Sequence, residues 1–504
     1  MDAPGVAAGV GIGVWCGGAV VTSSATLARR TLGVPALLIL GIVASSPMTV
    51  LVGGIPVTYA ATGVAGVPLS FVVVMGVLGL LVVGYAGVSR RVSHTAPFFA
   101  LLTLGLGGRA GMVGATVEFL GYNAIQISLY AFLGDRMSGL AGGAWWVWAA
   151  GAWMVITVFG LARMSANTLV LGGMLLVELS VIALFVIAAF TNPATGHLDA
   201  APWQWRSLLQ DGAGGALALT MAAFVGFECG PVFSEEARSP RAVMTATFTV
   251  AGCLGVLYAV LAWAVWTGVG PHVLTGGGDP SGYVFASLGR IYGTGVADLA
   301  TLLLVTSVLA AMMSFHHVVS RNLFGLARER VLPQAITTVS TGGRGGVPVG
   351  GSLVQSATAL LVIAGFVWSG ADPIKVMFTW LSTVGALCIL GLLVAASVAA
   401  HAYYRAGGGG HEGVFMRVVA PIIGALTGGL VVLFMASNLR NLLGLSPGSP
   451  LVWLLPAIVA AVAVTGWTWG GILRTRRPGV YARLGRGTPA PVTVLDHDLA
   501  ELEV

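Results

Sequence analysis

The chain has 504 residues, of which 57% are hydrophobic and only 8% are charged, whereas charged residues make up about a quarter of soluble domains. This composition excludes an ordinary soluble protein and predicts an integral membrane protein. The net charge of +6 does not indicate a nucleic-acid partner, because the basic residues lie in short loops between apolar stretches and do not cluster with aromatic residues.

The first segment, residues 1–31, holds a short glycine-rich apolar stretch from Gly5 to Val21. Its nearest basic residues, Arg29 and Arg30, follow the stretch, whereas a signal peptide carries them in front. We therefore predict a disordered or interfacial tail, or a start codon assigned too early. A thirteenth membrane span is the alternative.

Twelve apolar stretches follow, each close to the ~20 residues that cross ~30 Å of hydrocarbon. They are predicted at 36–60, 65–88, 110–133, 144–162, 166–190, 212–232, 241–268, 293–318, 347–369, 373–400, 416–437 and 450–473. The predicted fold class is an all-α polytopic membrane protein with about 12 transmembrane helices.

Orientation follows from the basic residues. With the N-terminus inside, 19 of the 24 Lys and Arg residues fall in cytoplasmic segments. The exceptions are Arg136, Arg206, Arg290, Lys375 and Arg440. Because short cytoplasmic loops are enriched in Lys and Arg, we predict a multi-pass protein of the cell membrane with both termini in the cytoplasm.

The first span is interrupted near its middle by Ala44, Ser45, Ser46 and Pro47. A proline within a helix removes one N–H and clashes with the carbonyl four residues back, so Pro47 is expected to free the carbonyl of Val43. The half-helix that starts near Pro47 would present N–H groups and a positive dipole end, which suit a carboxylate. The alternative is an ordinary proline kink repacked by neighbouring helices.

The sixth span carries a second interruption, Phe224-Val225-Gly226-Phe227-Glu228-Cys-Gly-Pro231. Pro231 is expected to free the carbonyl of Phe227, and free carbonyls suit an ammonium group. Paired interruptions in two halves of a chain point to a transporter binding site. We therefore predict a zwitterion site between the two breaks, with Phe224, Val225, Gly226 and Phe227 at its edge.

The breaks divide the core, 32–404, into two halves of five spans, about 36–190 and 212–400. Because five is odd, the second half inserts upside down relative to the first, which predicts an inverted repeat. Residues 405–475 form two accessory helices, which are candidates for packing or homo-oligomer contacts. The Pro/Gly/Arg-rich and then acidic segment 476–504 is predicted to be disordered.

Four acids lie inside predicted spans, where ionisable side chains are costly and usually functional. Asp298 lies within about two turns of the outer boundary, near water, and is given no role, which leaves Glu118, Glu178 and Glu228. A carboxyl that binds a proton on one side and releases it on the other can couple proton entry to substrate entry. All three are proton-coupling candidates, and Glu228 is the strongest because it lies in the sixth-span break. The alternative is a structural acid that binds freed backbone groups.

Glu118 also begins a polar stripe with Tyr122 and Gln126 on one face of the third span, and Asn123 lies beside it. The stripe is predicted either to line the substrate cavity or to form an interhelical hydrogen-bond network.

His316 is a gating candidate at the inner end of the eighth span; an interfacial histidine is the alternative. The adjacent His317 cannot share its helix face, and no Cys or acid at ligand spacing joins them. No hydrolase elbow or phosphate-binding loop occurs. We therefore predict that the protein binds no metal, cofactor or nucleic acid and that it is not an enzyme.

Three motifs carry a resemblance to a known family. The first motif consists of Phe224–Glu228 and Ser234–Arg241 and lies in and after the sixth span. The second is residues 315–333, at the end of the eighth span and in the loop after it. The third consists of residues 46–56 and 66–68, in the first two spans. With these motifs the chain resembles the bacterial amino acid permeases of the amino acid–polyamine–organocation (APC) superfamily over about 36–473.

The resemblance implies a LeuT-like fold with a five-plus-five inverted repeat, broken helices 1 and 6, and secondary active transport. It also implies substrate contacts from spans one, three, six, eight and ten. By position, Ala44, Ser45 and Ser46 would hold the carboxylate, and Val225 and Gly226 would border the amine.

The leading hypothesis is a permease that imports an amino acid with a proton by alternating access. A sodium-coupled carrier, an amino acid exchanger and a membrane sensor that does not transport are the alternatives. Some proton-coupled relatives carry a lysine where Glu178 lies, which leaves the coupling ion open.

Overall fold

The computed structural model describes residues 32–89, 94–161, 164–276, 280–340, 346–408, 412–486 and 494–495. Among these residues, ten helices are long and apolar enough to cross a membrane. Two further helices, Gly108–Ala141 and Trp145–Gly160, lie where the third and fourth spans are predicted. The prediction of an all-α polytopic membrane protein is confirmed.

We number the twelve spanning helices in chain order. Their bounds are α1 Val34–Thr62, α2 Val67–Ser89, α3 Gly108–Ala141, α4 Trp145–Gly160, α5 Met164–Thr191, α6 Ala213–Phe233, α7 Pro240–Val269, α8 Thr294–Arg328, α9 Val349–Ser369, α10 Pro373–Arg405, α11 Phe415–Ser437 and α12 Pro450–Arg476. Shorter helices are Pro97–Leu106, Ala201–Trp203, Trp205–Leu208, Pro271–Leu274, Pro280–Gly282, Tyr283–Tyr292, Gln334–Thr337, Leu439–Leu442 and Pro478–Tyr481. Two short strands, Val339–Ser340 (β1) and Val494–Leu495 (β2), pair in parallel.

Helix α1 is interrupted at a single residue. Its first part ends at Ser45, Ser46 adopts a left-handed conformation with φ 45° and ψ 74°, and a new helix begins at Pro47. The N–H of Ser46 donates to the carbonyl of Val43 at 3.1 Å. The expectation that Pro47 leaves this carbonyl free is therefore wrong, because the left-handed turn supplies a nearer donor.

Helix α6 is interrupted before its proline. The α-helix ends at Phe224, Val225 is non-helical, and Gly226 has φ 117°, a conformation that glycine adopts at little cost. A 3₁₀ helix, Phe227–Phe233, follows and contains Pro231. Carbonyls in such a helix pair three residues ahead, so the break is made by Val225 and Gly226 and not by the proline.

The two interruptions touch each other. A Cβ atom at Gly226 would lie 2.7 Å from the carbonyl carbon of Ala44 and 2.8 Å from the nitrogen of Ser45. Only a residue without a side chain allows this approach. Tyr258 of α7 donates its hydroxyl to the carbonyl of Ser45 at 3.1 Å and fixes the α1 side of the contact.

Helices α11 and α12 lie outside the ten-helix core. Helix α11 packs on α2 and α10, and α12 packs on α3. Only 11% of the most apolar 18-residue segment of α12 is buried within the protein. This helix therefore presents most of its surface to the membrane or to another protein.

The predicted N-terminal tail, 1–31, lies outside the described residues. Of the predicted disordered segment 476–504, the structure describes 476–486 and 494–495. Pro478–Tyr481 is helical, and Leu484 packs in an apolar cluster with Phe99 and Leu473. This part is ordered because apolar side chains anchor it to the protein.

Candidate functional site

A cavity of about 750 Å³, counted with its open side, begins at the contact between the two breaks. Its wall comes from α1, α3, α6, α8 and α10. The lining residues are Ala44, Ser45, Ser46, Thr49, Val50, Gly53, Gly54, Val57, Ile125, Ser128, Leu129, Leu219, Ala222, Ala223, Val225, Ala311, Phe315, Phe378 and Ser382. These are the five helices from which the family resemblance implied substrate contacts.

The cavity lies on one side of the breaks. We call the face that carries Leu32 and the α8 end at Arg328 the N-terminal face, and the opposite face the far face. The wall extends from Ser46 along α1 to Val57, eleven residues or about 16 Å toward the far face at the rise of a helix. The cavity therefore extends from the midpoint of the helices toward the far face.

The wall is mostly apolar. None of the described residues that form it is ionisable, and its polar side chains are the hydroxyls of Ser45, Ser46, Thr49, Ser128 and Ser382. A wall of this kind accepts an apolar side chain and offers a few hydrogen-bonding groups near the breaks.

Four of the ten predicted substrate contacts lie in the cavity wall: Ala44, Ser45, Ser46 and Val225.

The other three predicted residues at the α6 break lie outside the wall. Phe224 packs on Phe71 and Tyr258, with ring centroids 5.9 and 5.7 Å away. Gly226 packs against the backbone of α1, and Phe227 is fully buried. These residues shape the break without facing the cavity.

The polar stripe of α3 also lies outside the wall. Gln126 accepts a hydrogen bond of 2.6 Å from Gln355 of α9, and Asn123 donates to the carbonyl of Phe119 at 2.8 Å. Tyr122 is buried with its ring centroid 6.0 Å from that of Phe315. For Gln126 the arrangement matches the interhelical alternative, because its side chain binds Gln355 of α9. The α3 residues that line the cavity are Ile125, Ser128 and Leu129.

Several wall residues were not predicted. Thr49 follows the α1 break by three residues, and Ser128 and Ser382 are hydroxyls within apolar helices. A hydroxyl side chain among apolar residues was the only feature of the sequence that could have indicated these positions. Phe315 and Phe378 carried no signal, since an aromatic residue in a span is equally typical of packing.

Glu178 binds the helix end that the sequence assigned to the substrate. Its Oε1 atom accepts a hydrogen bond of 2.7 Å from the N–H of Met48, in the first turn after the α1 break. The carboxyl is buried. A carboxylate of the chain itself thus complements the positive end of the half-helix.

Hydroxyl groups connect this carboxyl with the cavity. Ser307 of α8 lies close to Glu178. Its Oγ is 2.9 Å from the Oγ of Ser46, which is 2.6 Å from the Oγ1 of Thr49. Ser46 and Thr49 line the cavity. Hydrogen-bonded hydroxyl groups therefore lead from the neighbourhood of Glu178 to the cavity wall.

Glu228 and Glu118 lie close to one another, outside the cavity wall. One oxygen of Glu228 accepts from the N–H of Gly226 at 2.9 Å, and its other oxygen is buried without a hydrogen bond to the described residues. Tyr122 faces Glu228, and Asn322 faces Glu118. Neither oxygen of Glu118 is in a well-formed hydrogen bond among the described residues. This pair has unused capacity to bind a proton.

Buried ion pairs close the N-terminal face. Arg321 of α8 donates to Glu236 at 2.6 Å, and the two side chains are 5% and 7% exposed. Arg328 makes two hydrogen bonds to Glu235. The backbone of Leu32 pairs with Glu236 and Arg238. These contacts tie α1, α6 and α8 together beyond the breaks.

His94 and Glu329 add a second contact on this face, with 2.9 Å between Nε2 and Oε1. The other oxygen of Glu329 accepts from the N–H of Gly485 at 2.8 Å. The ordered C-terminal segment is therefore joined to the α8 end.

His316, the predicted gating residue, lies away from the cavity. Its Nε2 is 2.7 Å from the Oγ of Ser352 in α9, and a Cβ at Gly160 of α4 would collide with its ring. The structure places this histidine in the contact of α4, α8 and α9.

A family model described as "Amino acid permease" matches residues 36–465. The branched-chain amino acid permease BcaP of Bacillus subtilis is 25% identical over 340 residues, which cover 63% of this chain and 71% of that protein. The aromatic amino acid transport protein AroP of Salmonella typhimurium is 28% identical over 275 residues, 52% of this chain and 54% of that protein. The uncharacterized amino acid permease YtnA of Bacillus subtilis is 26% identical over 255 residues and is matched over 52% of its length. The chain thus spans about half the length of the latter two relatives.

Proposed function

This chain belongs to the amino acid permease family, and we propose that it imports an amino acid with an apolar side chain across the cell membrane, together with a proton. One observation supports the proposal: a cavity that starts at the two touching breaks extends toward the far face, while a buried and a half-buried ion pair close the N-terminal face. A site accessible from one side at a time is what alternating access requires.

We assign the N-terminal face to the cytoplasm, with both termini on that side. The excess of Arg on this face supports the assignment, because short cytoplasmic loops are enriched in basic residues. In this orientation the cavity faces outward and is ready to receive substrate from outside the cell.

An amino acid with a branched-chain or aromatic side chain fits the cavity. The wall residues Ile125, Leu129, Leu219, Phe315 and Phe378 supply apolar surface, and none of the described wall residues is ionisable and able to pair with a charged side chain. BcaP, a branched-chain amino acid permease, and AroP, an aromatic amino acid transport protein, are similar proteins whose names agree with this class.

Glu178 is the proposed proton site that is coupled to substrate. While ionised, it complements the positive end of the half-helix through Met48. A bound proton removes that charge, and the substrate carboxylate then becomes the preferred complement to the helix end through Ser46 and Thr49. Proton and amino acid would therefore favour each other's binding, and the linkage is reciprocal.

Glu228 and Glu118 are the proposed proton acceptors on the cytoplasmic side of the breaks. Their unpaired buried oxygens support the assignment. When the cytoplasmic face opens, a proton from Glu178 can pass to this pair and then to water. Glu228 is joined to the α6 break through Gly226, so its charge is sensitive to the movement of that break.

The test is uptake into proteoliposomes with imposed gradients, after a thermal-shift screen of the twenty amino acids. The proposal expects stabilisation by leucine, isoleucine, valine or phenylalanine and accumulation driven by an inwardly directed proton gradient. Accumulation driven only by sodium contradicts the proton assignment. Uptake that occurs only against internal amino acid indicates an exchanger. Binding without any flux contradicts transport and indicates a sensor.

A further inference from the structure

A groove on the N-terminal face lies between the segment that follows α8 and the end of α12. Its wall includes Arg330, Pro333, Trp469, Ile472, Arg476 and Arg477. Three arginines therefore converge on one groove, and no acidic residue of the described chain lines it. The feature has no part in the transport site described above, because it lies on the outer side of α12.

The guanidinium groups of this groove have no partner within the described part of the chain. The side chains of Arg330, Arg476 and Arg477 are exposed, and none makes an ion pair or hydrogen bond within the described part of the chain. By contrast, Arg321 and Arg328 on the same face are both paired with glutamates. Three unpaired cations at one place suit an anionic group.

The wall of the groove is apolar on its membrane side. Ile472 is 52% exposed, and Val464, about two turns earlier in α12, is 60% exposed. The groove thus joins a positively charged end with a surface that faces hydrocarbon. A ligand that fits both parts has an anionic head and an apolar tail.

We propose that this groove binds an anionic phospholipid of the adjoining leaflet, with the phosphate on the three arginines and an acyl chain along Ile472. Basic pockets at the membrane surface on the cytoplasmic side bind such head groups, and arginine suits phosphate because its planar donors can make paired hydrogen bonds. Free phosphate would use the arginines but not the apolar wall.

The experiment measures binding of phosphatidylglycerol, relative to phosphatidylcholine, to the purified full-length protein by native mass spectrometry. The test variant is R330Q/R476Q/R477Q. The control is R474Q/R483Q/R486Q, which removes the same charge from exposed positions outside the groove. The proposal expects the phosphatidylglycerol preference to fall about tenfold or more in the test variant, with little change in the control. R330K/R476K/R477K, which keeps the charge, should retain most of it.

Equal loss in test and control variants would overturn the proposal, because binding would then follow net charge alone. Inorganic phosphate that displaces phosphatidylglycerol at millimolar concentration would identify an anion site without a lipid role and would also overturn it. So would a chain that gains its lipid preference only after truncation at residue 486, since the acidic tail would then occupy the groove. Far-ultraviolet circular dichroism verifies that all variants fold.

Discussion

The carboxyl of Glu178 accepts a hydrogen bond of 2.7 Å from the backbone N–H of Met48. These residues lie 130 positions apart, on the fifth helix and in the first turn after the α1 break. The bond places an internal acid at the helix end where a substrate carboxylate is expected. Competition between the two carboxyl groups gives a physical reason why proton binding and substrate binding would be coupled.

We expect E178Q to abolish accumulation while leaving facilitated flux. Glutamine keeps the size of the side chain and removes the titrating group. With one proton per zwitterion, a membrane potential of 100 mV supports about fifty-fold accumulation, and the variant should equilibrate at a ratio of about one. Radiolabelled leucine uptake measures this ratio. S180A, which alters an exposed hydroxyl of the same helix, is the control and should accumulate normally.

E228Q tests the proposed cytoplasmic proton acceptor. The amide still occupies the site next to Gly226 but cannot exchange a proton. We expect proton-driven accumulation to be lost, while substrate binding and membrane insertion remain. Wild-type accumulation in E228Q would remove Glu228 from the proton route, and normal thermal stability of the purified variant serves as the folding control.

G226A is expected to separate the two breaks. A methyl group would overlap the backbone of Ala44 and Ser45, and overpacking of this kind costs about 1–3 kcal/mol in addition to the strain of a positive φ. Thermal unfolding should occur several degrees lower, and uptake should fall strongly. G79A in α2, where a Cβ meets open space, is the matched control. Equal unfolding temperatures for the two variants would contradict the close contact.

Breaking the Arg321–Glu236 pair should open the cytoplasmic side. Removal of one member of a buried pair costs about 3–5 kcal/mol, because the other charge is left unpaired. We expect R321A to expose Cys229, which is buried in α6, to a membrane-permeant thiol reagent. The charge swap E236R/R321E should slow labelling again. Labelling that is unchanged in R321A would show that this pair does not hold the face closed.

Cavity size should set the substrate range. Ala222 lines the cavity, so A222L fills part of the space next to an apolar substrate. We expect the apparent affinity for phenylalanine to fall at least tenfold and that for valine to change much less, which competition against labelled valine measures. An equal loss of apparent affinity for both substrates would indicate that the substitution distorts α6 and does not simply reduce the size of the cavity.

The sequence predicted the spans and the positions of both breaks because composition and proline placement are local signals. Helix α4 is the clearest case: Trp145–Gly160 is too short for a length criterion alone, yet the alternation of basic loops requires a span there. The details of the breaks were less predictable. The left-handed turn at Ser46 places its N–H in a hydrogen bond with the carbonyl of Val43. No local sequence pattern predicts a positive φ at a serine.

The site was predicted only in part for the same reason. Ala44, Ser45, Ser46 and Val225 follow directly from the breaks, whereas the contact of Glu178 with Met48 depends on how α5 packs against α1. Gln126 shows the converse case. Its position on a polar stripe is readable from the sequence, but the choice between the cavity and Gln355 is made by helix rotation.

The central claim is that one proton enters with each amino acid molecule through Glu178. It is tested most directly by recording labelled leucine and an internal pH dye in the same proteoliposomes, without an imposed proton gradient. The account predicts that an inward leucine gradient acidifies the interior by about one proton per leucine, and that E178Q admits leucine without acidification. Leucine entry into wild-type vesicles with no change in internal pH would contradict it.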